Sequence, residues 1–169
     1  MRPHVDGLRR RGIDAVAVDL PKGNAERAAK VYAQEVRDVD GPCAVGGHSY
    51  GGRVASLLCA DDELNPAALV LLSYPLHRPG HVDDLRVEHW PEITCPVLLL
   101  SGESDPFARV DVLRSSVKLL RAAELHTYTG VGHGLAPVLV DALDRIAAFM
   151  RRVEADSRRV VTKAHTRRR

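Results

Sequence analysis

Three side chains in this sequence have the types and setting needed for acyl transfer: Ser49 in "GGHSYGG", Asp105 in "LLLSGESDPF" and His133 in "YTGVGHGL". A serine hydroxyl is a poor nucleophile near neutral pH, so it needs a base within hydrogen-bond reach and a third group to orient that base. An imidazole can take the proton, and a carboxylate beside it fixes the tautomer and stabilises the imidazolium that forms. Gly47 and Gly51 flank Ser49 in the spacing G-x-S-x-G. A turn that lifts a serine out of a strand-to-helix junction strains the backbone and brings neighbouring chain close, so glycine is expected two residues away on either side. The hydroxyl then stands at a helix N-terminus, where peptide dipoles favour developing negative charge, and the backbone N–H of Tyr50 is placed to donate to an oxyanion.

Each element has a plainer reading on its own. The glycines could form a simple close turn, Asp105 could cap a helix beginning near Phe107, and His133 could be one more loop histidine. The joint reading rests on order and place: each of the three follows an apolar run and lies in a loop bounded by Gly or Pro. A phosphate cradle is disfavoured, because no Lys-Ser/Thr pair follows the glycines and the turn lacks G-x-G-x-x-G spacing. His77 and His81 in "HRPGH" come nearest to a metal-ligand pair, but with no cysteine or carboxylate pattern around them they are expected on a surface loop. Cys43, Cys59 and Cys95 each sit among apolar neighbours with no C-x-x-C spacing, and are expected to be buried thiols. Tyr74 and Trp90 could line a pocket, although a tryptophan beside Pro91 fits a packing anchor better.

Periodicity and punctuation supply the elements that must hold these groups. Residues 13–19, in "GIDAVAVDLP", predict a buried strand, bracketed by Gly12 and Pro21. A helix follows, with Asn24 as N-cap and Ala28, Val31, Tyr32, Val36 and Val39 on one face. "PCAVGG" is a short strand leading into Ser49, and "GRVASLLCADDEL" a helix leaving it. "AALVLLSYPL" and "CPVLLLSGE" are continuous apolar runs, as expected where both faces of a parallel sheet are covered. The helix "RVDVLRSSVKLLRAA", the strand "ELHTYTG" and the helix "APVLVDALDRIAAFMRRVEA" complete the alternation. The predicted fold class is α/β: a doubly wound, mostly parallel sheet with helices on both faces. Ser49, Asp105 and His133 then all fall at the carboxyl ends of strands, the edge where such sheets build their sites.

A chain of 169 residues, 45% hydrophobic, suits one domain, expected over residues 1–150. No stretch is long and apolar enough for a membrane span, and the amino-terminal residues lack the apolar core of a signal peptide, so a cytoplasmic protein is expected. Charge is uneven: residues 151–169 hold eight Lys/Arg against two acids, or +6, leaving 16 basic and 20 acidic groups, or −4, in the body. With no aromatic to stack on bases and no clean basic face, this end argues against nucleic-acid binding and predicts a solvated, unordered tail.

The segments "GGHSYGGRVAS", "LLSYPLHRPG", "LLLSGESDPF" and "GVGHGL" resemble the α/β-hydrolase superfamily. Within it they are similar to the small, lidless, dienelactone-hydrolase-like branch that includes the testis-expressed and histone-acetyltransferase-complex hydrolase-like proteins; the likeness covers roughly residues 12–150. It implies Ser49 as nucleophile, Asp105 as orienting acid and His133 as base, a small acyl compound as substrate, and no metal or organic cofactor. It also implies an alternative, a catalytically weak binding or scaffold module. The pattern departs at its front, where a strand ending in a His-Gly or Gly-Gly loop would supply a second oxyanion N–H. The expectation is therefore an N-terminal truncation that opens a gap beside the Ala44 strand, unless Val16 or Val18 pairs with that strand directly.

Overall fold

The computed structural model describes residues 2–61 and 64–166, with side chains described as far as Ser157. Four strands form one parallel sheet in sequential order: β1 (Ala44–His48), β2 (Ala68–Leu72), β3 (Val97–Gly102) and β4 (Ala123–Tyr128). Pairing runs from Ala44↔Ala68 to His48↔Leu72, from Leu69↔Val97 to Leu72↔Leu100, and from Val97↔Ala123 to Gly102↔Tyr128. All four carboxyl ends therefore share one edge. Among the described residues five α-helices accompany the sheet: α1 (Arg2–Arg9), α2 (Ala25–Arg37), α3 (Tyr50–Cys59), α4 (Val110–Ser116) and α5 (Leu139–Thr166).

The two-residue period of the strands divides the core. Leu69, Leu71, Val97 and Leu99 pack with Ala55 and Leu58 of α3, Ala33 of α2 and Leu113 of α4. Ala68, Val70, Leu72, Leu98 and Leu100 face the other way, onto Ala142, Ile146 and Phe149 of α5 with Leu8 of α1 beside them. Every residue of β2 and β3 is buried, which is why β2 is wholly apolar and β3 runs apolar as far as Ser101. Tyr74 and Trp90 are buried and meet edge to face with centroids 5.1 Å apart, so they are packing residues. Cys59 and Cys95 are buried and Cys43 partly so, all as free thiols.

One expected strand does not form. Residues 13–19 lie along the surface with Val16 70% exposed, and neither Val16 nor Val18 pairs with β1. A strand exists only through its ladder, and among the described residues no strand pairs with these; Arg9 Nε instead donates to Ala15 O at 2.8 Å. β1 is consequently an edge. Its outward Gly46 N–H and C=O are both met by the Tyr32 hydroxyl, at 3.2 Å each. Asn24 caps α2 as expected, accepting from Arg27 N–H at 2.6 Å; of the expected face Ala28 is buried and Tyr32 and Val36 pack against the core, whereas Val31, and Val39 beyond the end of α2, are exposed. Ala25 and Ala28 of α2 pack with Val54 of α3.

α5 runs from Leu139 through Thr166. The core-facing period extends past residue 150, with Val153 against the α5-side core and Arg152 paired to Glu124 at 2.6 Å. No helix among the described residues is long and apolar enough to cross a membrane.

Between α3 and the loop after β2, Ser56 Oγ donates to Arg53 O at 2.8 Å, so it accepts from His89 Nε2–H, also at 2.8 Å. Burial pushes His89 down to about 4 from its ordinary 6.5. The unfolded chain therefore takes up this proton first, and the stability it represents is present above pH 6.5 and lost as pH falls toward 4. Urea unfolding at pH 7 and pH 5 is expected to show a loss of about 1 kcal/mol, allowing for partial exposure, that His89→Gln removes.

Candidate active site

Ser49 stands between the last residue of β1 and the first of α3, with φ 52 and ψ −118, a left-handed conformation that a side chain rarely adopts. Its N–H donates to Leu72 O at 2.8 Å, which anchors the strained residue to the neighbouring strand. A Cβ on Gly47 would collide with the backbone of Gly51, including its carbonyl oxygen at 2.7 Å. The second crowded position is not the one expected, because a Cβ on Gly51 meets nothing within 4 Å whereas one on Gly52 lies 2.8 Å from Gly47 O. Strand and helix cross at Gly47 and Gly52, and Gly51 faces open space.

Asp105 and His133 arrive from the ends of β3 and β4. The Asp105 side chain is fully buried, and its Oδ1 accepts from Phe107 N–H at 2.8 Å. His133 Nδ1 lies 2.8 Å from Oδ2 and 3.0 Å from Oδ1, and its Nε2 lies 2.7 Å from Ser49 Oγ. A carboxylate only accepts, so Nδ1 carries the hydrogen and the Nε2 lone pair faces the serine hydroxyl. The imidazole side chain is 25% exposed, enough for a small molecule and water to reach it. All three predicted groups thus meet at one point. Tyr50 N–H, the first of α3, has no acceptor within its helix; the Tyr50 ring points away, its hydroxyl directed at Pro21 O (2.9 Å) and Asn24 O (3.1 Å).

Residues 20–160 match the family described as an alpha/beta hydrolase domain. The chain belongs to this family. Solved structures of α/β hydrolases share its fold: monoacylglycerol lipase of Paleococcus ferrophilus superposes with a TM-score of 0.75 at 14% identity, covering 87% of this chain and 86% of that one. Est1E of Butyrivibrio proteoclasticus gives 0.74 at 16%, covering 90% and 82%, and an esterase of Pyrococcus furiosus 0.75 at 16%, covering 90% and 74%. At these identities the likeness is one of fold. A non-heme chloroperoxidase of Burkholderia pyrrocinia is 38% identical over 60 residues, which make up 35% of this chain and 22% of that protein.

Several residues that shape this α/β-hydrolase site carry no signal of their own in the sequence. His48, the variable residue before Ser49, directs Nε2 at His133 O, 3.0 Å away, and so ties the elbow to the histidine loop. The Phe107 ring lies 4.6 Å from the His133 ring. Tyr128 donates to Asp141 at 2.8 Å, fixing the start of the histidine loop to α5; burial, then this carboxylate, push its phenol up to about 12. His77, expected on a surface loop, is buried, while His81 is exposed.

Gly102 is the residue that lets the acid and histidine loops approach. Val131 O accepts from Ser104 N–H at 2.9 Å and passes directly over Gly102, so a Cβ there would overlap the carbonyl oxygens of Val131 and Gly132. Both neighbours are backbone and cannot rotate aside. Gly102→Ala is expected to lower stability by about 2–3 kcal/mol in urea unfolding. It should also reduce turnover by about 100-fold, because the imidazole moves with its loop.

Proposed function

We propose that this protein is a serine hydrolase of small esters, thioesters or related acyl compounds, working through Ser49, His133 and Asp105. The observation that carries the reading is the continuous relay from buried carboxylate to imidazole to a strained hydroxyl, with contacts of 2.8 and 2.7 Å. Ser49 Oγ attacks the acyl carbon as its proton passes to His133 Nε2, and Asp105 stabilises the imidazolium. The tetrahedral oxyanion accepts from Tyr50 N–H, at the positive end of α3. Collapse expels the leaving group, protonated by His133, and leaves an acyl-serine. Water, deprotonated by His133, then attacks the acyl-serine and frees the acid and the serine.

We read the chain as a lidless member of the family. Between β2 and β3 the segment holds an Arg78–His81 bridge and a short turn at Trp90–Glu92 but no helix or strand that would shelter a long acyl chain. Hydrolysis of p-nitrophenyl esters tests this: release of p-nitrophenolate should be fastest from acetate and fall steeply toward palmitate. Release at the buffer rate from every ester contradicts the proposal.

A further inference from the structure

We propose that His77 is a positioning residue for the catalytic acid, clamping the loop that carries Asp105; this rests on the reading of Ser49, His133 and Asp105 as a triad. The buried stretch "SYPLH" leaves the end of β2 through Ser73, whose φ of 46 turns the chain and whose N–H donates to Leu100 O at 2.8 Å. Leu76 and His77 are then carried inward, 0% and 2% exposed, toward the loop after β3. There His77 makes two contacts with that loop: its N–H donates to Phe107 O at 3.0 Å, and its Nε2 accepts from Arg109 N–H at 3.1 Å. An amide N–H only donates, so Nε2 must be bare and Nδ1 must carry the hydrogen, which it gives to Arg78 O at 2.8 Å.

The two bonds fall on residues 107 and 109, immediately after the acid. Phe107 is also the residue whose N–H holds Asp105 Oδ1 and whose ring flanks His133. His77 thus holds the carbonyl of the same residue whose N–H orients the carboxylate, and the N–H two residues beyond it. A side chain of equal bulk without the acceptor would strand Arg109 N–H and free this stretch to shift, and a displacement near 1 Å at a catalytic group can cost about 100-fold in rate.

The experiment compares His77→Leu, which fills the space without an acceptor, with His77→Gln, whose side-chain oxygen can take the place of Nε2, each alone and with Asp105→Asn. For His77→Leu, kcat on p-nitrophenyl acetate is expected to fall about 10- to 100-fold with KM within about two-fold, and His77→Gln should recover most of it. In the Asp105→Asn background His77→Leu should cost almost nothing more, since both changes act through one carboxylate. Independent, multiplying losses, or wild-type kcat in folded His77→Leu, overturn the proposal; if His77→Leu does not fold, a His77→Gln enzyme with less than a tenth of wild-type kcat does so. Wild-type turnover that Ser49→Ala leaves intact would instead overturn the triad reading, and the role of His77 with it.

Discussion

Ser49→Ala lowers the turnover of p-nitrophenyl acetate by about 10⁴-fold or more and leaves the fold in place. Loss of a serine nucleophile removes the covalent route altogether, and what survives is the slow attack of water aided by Tyr50 N–H and by binding. Alanine retains the Cβ that the left-handed backbone at residue 49 already tolerates, so stability should change by less than about 1 kcal/mol. Steady-state rates and a urea melt on the same preparation check both parts. A variant that keeps a tenth of the wild-type rate shows that the hydrolysis, if present, uses another nucleophile.

Asp105→Asn should cost nearly as much, about 10⁴-fold in kcat, although its side chain never touches substrate. The asparagine oxygen can still accept from Phe107 N–H, so the loop keeps its shape. Its amide, however, presents hydrogens to His133 Nδ1, which forces the ring into the tautomer with its hydrogen on Nε2. That hydrogen then points at Ser49 Oγ where a lone pair is needed. Measured kcat should collapse while KM changes little, and a loss below about ten-fold would show that the carboxylate does not set the tautomer.

The parts of this site that the sequence makes legible are those fixed by local chain geometry. A serine between glycines after an apolar run, and an acid and a histidine just beyond two further runs, declare themselves because each is set by a strand end and a turn within a few residues. Gly102, His48 and His77 act across loops remote in the chain. Gly102 matters only because Val131 O lies over it, and His77 only because Arg109 N–H reaches its ring. Residues 13–19 illustrate the converse, since apolar content marks a segment able to be a strand but not whether a partner strand lies beside it. In α2 the helical period places Ala28, Tyr32 and Val36 toward the core, but it does not tell that Val31 and Val39 stay exposed while Ala25 and Ala33 are buried. The family membership over residues 20–160 and the four-stranded parallel sheet agree with the fold class that alternating runs and helical periods predict.

The most direct measurement is the site of attachment of a fluorophosphonate probe, read by mass spectrometry of peptides from the labelled protein. A hydroxyl activated by His133 should take one phosphonyl group, on Ser49, from the folded protein and none after unfolding. An adduct on any other residue, or equal labelling of wild type and Ser49→Ala, would contradict the account.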